Sequence, residues 1–267
     1  MCAGTRTMNH LQTGAKYLAT ARLNHRRLAE LPSEARPQTI AEAYQCQDVF
    51  AACFLEMHGG QIIGYKIACT NKIAQDLLHT GPFHGKLFSA SSFDSPAKIR
   101  TDDFFMRVME AEFAFKMASD LPPRAEPFTR DEVAGAVEGV LPGIEVVDSR
   151  FNEWTTVGAE SLIADNACHG AWVKGKLITN WRRLDLGGPV HLSVNGKVVQ
   201  SGSGAAVLGH PLNALHWLAE NLRERGEGLK AGHYITTGVT TDIYLAQRGD
   251  RVSADFGQTG TVELTFD

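Results

Sequence analysis

Two glutamates one residue apart, Glu110 and Glu112, lie in an otherwise apolar stretch of the chain. If this stretch is a β-strand, successive side chains point to opposite faces. Both carboxylates then share one face, and the other is apolar throughout, formed by Met109, Ala111, Phe113, Phe115 and Met117. Two adjacent carboxylates on a buried strand repel each other and lose hydration. A hard divalent cation, Mg²⁺ or Mn²⁺, relieves both effects because it prefers oxygen ligands; the alternative is a solvated face of an edge strand.

A third acid, Glu145, lies between Ile144 and Val146 in the segment Leu141–Asp148. We interpret this segment as a loop that leads into a short buried strand. An acid among apolar residues is rarely left unpaired. Glu145 therefore either completes a three-carboxylate site, which suits Mg²⁺ or Mn²⁺ better than Zn²⁺, or forms a salt bridge with a lysine or arginine.

Lys66 occupies the middle of a predicted strand, Gln61–Cys69. With period two it shares a face with the small residues Gly64 and Ala68, so it could project into a polar cavity. There it could bind an anionic substrate or stabilise an enolate. The alternative is that Lys66 only neutralises one of the glutamates, and both interpretations hold if lysine and acids line one pocket.

A predicted loop, Gly81–Leu87, carries His84 beside an aromatic residue. Histidine titrates near neutral pH and can carry protons in catalysis. The sequence therefore makes His84 a candidate catalytic residue, although a loop histidine can also be merely exposed.

Two further polar segments are candidates for substrate binding. Ser161 and Asp165 belong to residues 161–170, where Asp165 could instead only shape a turn. Thr240 belongs to residues 236–242, whose hydroxyls and amides could hold a carboxylate or could simply end a strand.

The elements that must position these residues indicate an α+β protein. A helical N-terminal segment, residues 1–60, precedes a strand-dominated body, residues 61–267, with a few helices. The predicted helices are Thr13–Glu30, Thr39–Met57, Asn71–Leu78, Thr129–Val140 and Pro211–Arg225, and Asn195-Gly196 predicts a hairpin. The chain lacks regular βα alternation and a GxGxxG motif.

Composition excludes several functional classes. The 267 residues are 43% hydrophobic and 21% charged, with a net charge of −4, which is ordinary for a globular protein. The sequence contains no basic run of the kind that indicates binding to nucleic acid. It also contains no apolar stretch of the ~20 residues that are needed to cross a bilayer. The cysteines form no CxxC pair, which predicts a reducing cytoplasm; they are Cys2, Cys46, Cys53, Cys69 and Cys168.

Several short motifs occur in the order found in a known family. They are Gly64–Ile67, Glu110–Glu112, Pro142–Asp148, Ala164–Ala167, Gly204–Pro211 and Gly249–Asp250. Over nearly its whole length the chain resembles the 2-keto-4-pentenoate hydratases (2-hydroxypenta-2,4-dienoate hydratases) and the related 4-oxalocrotonate decarboxylases. Both belong to the fumarylacetoacetate hydrolase superfamily.

The resemblance implies a fumarylacetoacetate-hydrolase-like mixed β-roll with an N-terminal helical segment, assembled as a homo-oligomer. It also implies that Glu110, Glu112 and Glu145 hold Mg²⁺ or Mn²⁺ and that Lys66 is the active-site lysine. One departure concerns Pro82-Phe-His-Gly85, where many of these hydratases have Pro-Asp-Tyr-Gly. Phe83 replaces the family's proposed acid/base aspartate, which leaves Phe83 as a substrate contact and His84 as a possible replacement for proton transfer.

The resemblance implies a cytoplasmic hydratase of aromatic catabolism. Its substrate would be a small 2-hydroxy-2,4-dienoate or 2-oxo acid, converted into a 4-hydroxy-2-oxo acid. A 4-oxalocrotonate-type decarboxylase is the second expectation and an acylpyruvate C–C hydrolase the third, because all three reactions use substrate chelation and enolate stabilisation. A non-enzymatic relative that binds a 2-oxo acid is the remaining alternative.

Overall fold

The computed structural model describes residues 3–267, with side chains from residue 10 onward; Cys2 lies outside these residues. The helices are α1 (Ala3–Leu23), α2 (Ile40–His58), α3 (Lys72–Leu78), α4 (Arg130–Gly135), α5 (Ala159–Ala164) and α6 (Pro211–Glu224). In the described part of the chain, no helix combines the length and apolar character that crossing a membrane requires.

The strands form two mixed sheets. They are β1 (Ile62–Ala68), β2 (Phe83–Phe88), β3 (Ser92–Asp94), β4 (Ala97–Ile99), β5 (Val108–Met117), β6 (Val137–Val147), β7 (His169–Lys174), β8 (Pro189–Val194), β9 (Lys197–Ser203), β10 (Tyr234–Thr236), β11 (Tyr244–Leu245), β12 (Arg251–Asp255) and β13 (Thr261–Phe266). The larger sheet has the order β2-β1-β10-β5-β6-β7-β3, with β11 beside β5, and the smaller has the order β4-β13-β12-β8-β9. The predicted α+β class is confirmed.

The apolar face of β5 forms the centre of the core. All five predicted residues of that face are buried, and they share a hydrophobic cluster with residues of the smaller sheet such as Val252 and Leu264. Full burial of one large apolar side chain contributes roughly 1.5–3 kcal/mol. Because β5 lies between β10 and β6, it is an interior strand, and the edge-strand alternative for its two glutamates is wrong.

The helix predicted over 129–140 is helical only in its first half and ends in a strand. The capping box of Thr129 and Glu132 is present, but α4 ends at Gly135 and β6 begins at Val137. Val137 and Val140 are buried in the core between the sheets, a position that suits branched side chains. Leu141–Asp148 is likewise no loop, because β6 continues through Pro142 to Val147.

The predicted loop Gly81–Leu87 is also mostly a strand. β2 begins at Phe83 and pairs with β1 in antiparallel register. All six residues of β2 are buried, although Gly81-Pro82 and Gly85 give the segment a loop-like composition.

The N-terminal helices pack on the other side of the larger sheet. Leu18 of α1 and Phe50 and Phe54 of α2 share a hydrophobic cluster with residues of β2, including Phe88. The helix predicted to end at Glu30 ends at Leu23. The boundary at residue 60 between a helical segment and a catalytic domain stays a prediction.

Candidate metal centre and active-site cavity

The pairing of β5 with β6 brings the three acids together. Glu110 lies directly opposite Glu145, and Glu112 lies opposite Gly143. Directly paired residues of neighbouring antiparallel strands project from the same face of the sheet. One carboxylate oxygen from each of Glu110, Glu112 and Glu145 therefore lies within 4.8 Å of the others.

Glu112 is fully buried, and one of its carboxylate oxygens is hydrogen-bonded whereas the other is not. Its Oε2 accepts a hydrogen bond of 2.8 Å from the backbone N–H of Gly238, whereas Oε1 has no hydrogen-bond partner. Gly238 has φ +99°, and a Cβ there would lie 1.9 Å from Oγ1 of Thr70. Only glycine fits this backbone approach, and the unpartnered buried carboxylate oxygen is available to a proton or to a bound cation.

Glu145 lies between two nitrogen groups. Nδ1 of His169 is 2.8 Å from its Oε1, and Nζ of Lys66 is 3.2 Å from its Oε2. Burial, followed by the nearby positive charge of Arg22, lowers the pKa of His169 well below its usual value. The imidazole is therefore neutral, and its Nδ1–H donates to Glu145, an arrangement that orients a metal-binding carboxylate.

Lys66 is buried, and its ammonium group is held in a fixed position. Besides contacting Glu145, Nζ donates a hydrogen bond of 2.9 Å to the carbonyl oxygen of Ala167. Burial acts to lower the pKa of Lys66, but the charges of Glu145, Glu110 and Glu112 outweigh it and raise that pKa above its usual value. The lysine therefore stays protonated, and it both neutralises an acid and lines the cavity described below.

The acids carry more negative charge than the lysine balances. Burial raises the pKa of Glu110 and of Glu112 to about 8, and it also raises the pKa of Glu145. With all three ionised, the trio and Lys66 would carry two net negative charges. Three oxygen ligands and this deficit fit a hard divalent cation such as Mg²⁺ or Mn²⁺.

A strained turn builds the neighbouring wall. Asn166, Ala167 and Cys168 have φ of 52°, 52° and 59°, a left-handed conformation that costs about 1–3 kcal/mol for each such residue. The side chain of Asn166 fixes the turn by accepting from the Lys86 N–H at 2.7 Å and donating to its carbonyl at 2.9 Å. The turn thereby directs the Ala167 carbonyl toward Lys66.

A cavity of about 270 Å³ opens beside the trio and is lined by Glu110 and Lys66 at its polar end. Phe83 lines it as well, and its role as a substrate contact stays a prediction. Phe83 pairs with Ala68, two residues along β1 from Lys66, so the two side chains project from the same face of the sheet.

His84 does not line this cavity, contrary to the sequence prediction. It pairs with Ile67, so it projects from the face opposite Lys66. There its ring stacks on Tyr44 at a centroid distance of 4.4 Å and meets the edge of Tyr65 at 5.4 Å. Burial lowers the pKa of His84 to about 3, which leaves the ring neutral near pH 7 and unsuited to proton transfer.

Three predicted substrate-binding residues also lie outside the cavity lining. Ser161 is buried within α5. Asp165 binds Arg150, with Nε 2.7 Å from its Oδ1, and Oγ1 of Thr240 donates to the carbonyl of Ala111 at 2.8 Å. The side chains of Asp165 and Thr240 thus stabilise local structure, which is the alternative that the sequence left open for both.

Two groups at the site were missed by the sequence analysis: the His169 imidazole and the Asp242 carboxylate. Asp242 lines the cavity, and it ends the segment 236–242 that was assigned to substrate binding. A carboxylate within that candidate binding segment could have been recognised from the sequence as a possible proton carrier. His169 carried none, because its contact with Glu145 depends on the pairing of β6 with β7.

Comparisons with known proteins agree with this geometry. The family model for the fumarylacetoacetate (FAA) hydrolase C-terminal domain matches residues 86–267. The chain is 33% identical to a 2-hydroxyhexa-2,4-dienoate hydratase from Comamonas testosteroni, over 96% of this chain and 97% of the relative. It is 31% identical to a 2-keto-4-pentenoate hydratase from Paraburkholderia xenovorans, over 98% and 96%.

A solved structure is similar over the same extent. The 4-oxalocrotonate decarboxylase from Pseudomonas putida G7, complexed with magnesium and adipate, superimposes with a TM-score of 0.89 at 28% identity, covering 97% of this chain and 98% of the other. The chain therefore belongs to the fumarylacetoacetate hydrolase family, in the group that contains the 2-keto-4-pentenoate hydratases and the 4-oxalocrotonate decarboxylases.

Proposed function

We propose that this protein is a metal-dependent hydratase of aromatic catabolism. It adds water to a 2-hydroxy-2,4-dienoate of the 2-oxo-4-pentenoate type and releases a 4-hydroxy-2-oxo acid. The observation that supports this most directly is the convergence of Glu110, Glu112 and Glu145 with Lys66 at the polar end of an otherwise apolar cavity. Two relatives that align over nearly the whole chain are named as hydratases of such acids.

The three glutamates would hold Mg²⁺ or Mn²⁺. When bound, the ion supplies a Lewis acid for the C2 oxygen of the substrate. The free Oε1 of Glu112 and the unbalanced negative charge support this assignment. His169 and the Gly238 N–H would orient the carboxylates, since they engage one oxygen each of Glu145 and Glu112.

Lys66 would supply a fixed positive charge beside the substrate's carboxylate or enolate oxygen. Its ammonium is already oriented by Ala167 and Glu145, so little reorganisation is needed when charge develops, and such preorganised charges stabilise transition states effectively. Because the pKa of Lys66 is raised, the lysine acts as a charge and not as a base.

Asp242 would transfer the proton that hydration requires. Among the described residues that line the cavity, it is the one carboxylate besides Glu110. The thiols of Cys69 and Cys168 also line the cavity, but burial raises their pKa to about 11 and about 12, so they stay protonated near pH 7. Asp242 thus fills the role that the replacement of aspartate by Phe83 leaves open.

The charge distribution favours hydration over the two alternative reactions. Oxalocrotonate and fumarylpyruvate each carry a second carboxylate at the far end, which needs a cation in the cavity. Lys66 is the one lysine or arginine among the described lining residues. A singly carboxylated dienoate fits this lining better than either dicarboxylate.

A homo-oligomer in the cytoplasm belongs to the same proposal. The described cysteines Cys46, Cys53, Cys69 and Cys168 are free thiols, as a reducing compartment requires. β9 is the edge strand of the smaller sheet and carries Val198 with 61% of its surface exposed, a feature that suits packing against a second copy. Light scattering behind a sizing column would test the assembly.

Product analysis tests the reaction. The protein is incubated with Mg²⁺ and 2-hydroxypenta-2,4-dienoate, oxalocrotonate or fumarylpyruvate, and products are identified by NMR. We expect 4-hydroxy-2-oxopentanoate from the first substrate, with activity lost in EDTA and in the Glu110→Gln variant. Preferential release of CO₂ from oxalocrotonate, or cleavage of fumarylpyruvate, would replace hydration with one of the alternatives. If none of the three substrates reacts but a 2-oxo acid binds, the protein is a non-enzymatic relative.

A further inference from the structure

We propose that the substrate carries an apolar tail that extends well beyond the five carbons of 2-hydroxypenta-2,4-dienoate, as an alkyl or aryl group. This inference rests on the proposed function, because the acidic trio and Lys66 fix where the substrate's carboxylate end lies. It adds the chemical class of the other end.

The cavity is apolar beyond its polar end. Its walls there are formed by Phe83, Val108, Val147, Trp154, Leu162 and Val239, which come from strands of the larger sheet and from the segments that cover it. Such walls favour an apolar ligand, because each methylene moved from water to an apolar site improves binding by about fourfold.

The apolar lining continues along α3 to the surface. Ile73, Ala74, Leu77 and Leu78 all line the cavity, and their spacing places them on one face of the helix. None of the residues in α3 is buried. Ile73 is 71% exposed, Leu77 is 50% exposed, and Ile243, which also lines the cavity, is 41% exposed.

An apolar helix face left in water at a cavity mouth marks a binding surface. A substrate tail that begins at the polar end and follows the walls outward would cover this face. A five-carbon substrate would leave Ile73 and Leu77 in contact with water.

Charged groups exclude a tail that ends in a carboxylate. Three other cations of the larger sheet and its connections bind other groups: Arg107 donates to Ala246 and Phe104, Arg150 binds Asp165, and Lys174 binds Asp94. The lining also contains Asp242, which would repel a second carboxylate. The tail is therefore uncharged.

A substrate series tests the tail. The protein is assayed with Mg²⁺ and 2-hydroxy-2,4-dienoates that end in hydrogen, methyl, butyl, phenyl or a carboxylate group. We expect kcat/KM to rise by about fourfold for each added methylene until the tail reaches the mouth, and the carboxylate-ended substrate to be the poorest. Equal or falling kcat/KM with tail length, or preference for the carboxylate-ended substrate, would overturn the inference.

Binding separates this inference from the proposed reaction. The fluorescence of Trp154, which lines the cavity, is followed while straight-chain 2-oxo acids of increasing length are added with Mg²⁺. If no dienoate is hydrated, the proposed function fails, but a Kd that falls with each carbon still supports the apolar tail. A Kd independent of chain length overturns the tail inference, whatever the reaction.

Two matched variants locate the tail. Leu77→Asn should lower the ratio of kcat/KM for the butyl substrate to that for the five-carbon substrate by about tenfold. Leu245→Asn changes a leucine of similar exposure, 56%, outside the cavity lining, and should leave the ratio unchanged. If a second subunit covers α3 instead, Leu77→Asn will alter the oligomeric state without changing the ratio, and the inference is wrong.

Discussion

Replacement of Glu112 by glutamine should stabilise the metal-free protein while abolishing its stabilisation by Mg²⁺. The substitution keeps the shape of the side chain. A glutamine amide oxygen can still accept the hydrogen bond from the Gly238 N–H that now reaches Oε2, and the amide N–H₂ would take the place of the unpartnered Oε1. The perturbation is thus confined to the charge.

The magnitude follows from the pKa of Glu112. Burial, followed by the nearby charge of Glu145, raises this pKa from 4.5 to about 8. The pKa of Glu112 is higher in the folded protein than in the unfolded chain, so between these two values the carboxyl ionises more readily in the unfolded chain. The folded protein is therefore destabilised little near pH 5 and increasingly up to about pH 8. Each pKa unit corresponds to ~1.4 kcal/mol, so at pH 7 the destabilisation amounts to about 3 kcal/mol, and the glutamine variant lacks it.

Urea unfolding at about pH 5 and pH 7 measures both effects. In EDTA, raising the pH should lower the unfolding free energy of the wild-type protein by about 2 kcal/mol more than that of the Glu112→Gln variant, in which Glu110 still contributes its own pH dependence. Mg²⁺ at a hundred times its Kd should add about 3 kcal/mol to the wild type and little to the variant. Glu263→Gln, at an exposed strand glutamate, is the matched control and should show neither effect.

The opposite pattern would refute the reasoning. If the Glu112→Gln variant unfolds more easily than the wild type in EDTA at pH 7, the carboxylate stabilises the fold, and the acids are a structural network. If Mg²⁺ stabilises both proteins equally, Glu112 is not a ligand.

The remaining predictions concern the cavity. Lys66→Gln should lower kcat/KM by at least about 100-fold while Mg²⁺ binds as tightly or more tightly by calorimetry, because a repelling positive charge is lost; weaker Mg²⁺ binding would show that the lysine instead supports the metal site. Asp242→Asn should lower kcat by about 100-fold and leave the Kd for Mg²⁺ unchanged, and adding Phe83→Asp should restore part of the rate; a kcat within about twofold of the wild type would exclude Asp242 as the proton-transfer group. His84→Gln should change kcat by no more than about twofold once corrected for the folded fraction, since the ring lies outside the cavity, and a loss of activity in fully folded variant protein would contradict that placement.

Local periodicity was enough to predict the orientation of two of the three acids of the candidate metal centre. Glu110 and Glu112 follow the two-residue period of a ten-residue strand whose other face is apolar, so their common orientation follows from backbone geometry alone. Lys66 was found in the same way, because the two-residue period of β1 places it on one face with the small residues Gly64 and Ala68. In both cases the chemistry depends on one strand and no long-range pairing.

The prediction failed where a segment's composition and its tertiary environment disagree. Val137 and Val140 follow a capped helix without a break, and the burial between two sheets that makes them a strand cannot be seen locally. Glycine is typical of loops, yet Gly85 lies in β2. The residue there is glycine because a Cβ would lie 2.4 Å from the carbonyl oxygen of Asn166. Because successive side chains of a strand point to opposite faces, Phe83 of β2 points toward the cavity and His84 points away from it.

Charge balance connects the metal centre to the choice of substrate. With all three carboxylates ionised, the trio and Lys66 carry two net negative charges, so an anionic substrate would meet repulsion at this site unless a divalent cation neutralises them. Since Lys66 is already shared between Glu145 and Ala167, no positive charge remains for a second substrate carboxylate. This charge balance favours a divalent cation at one end of the cavity and an uncharged substrate group at the other. The apolar face of α3 suits such an uncharged group.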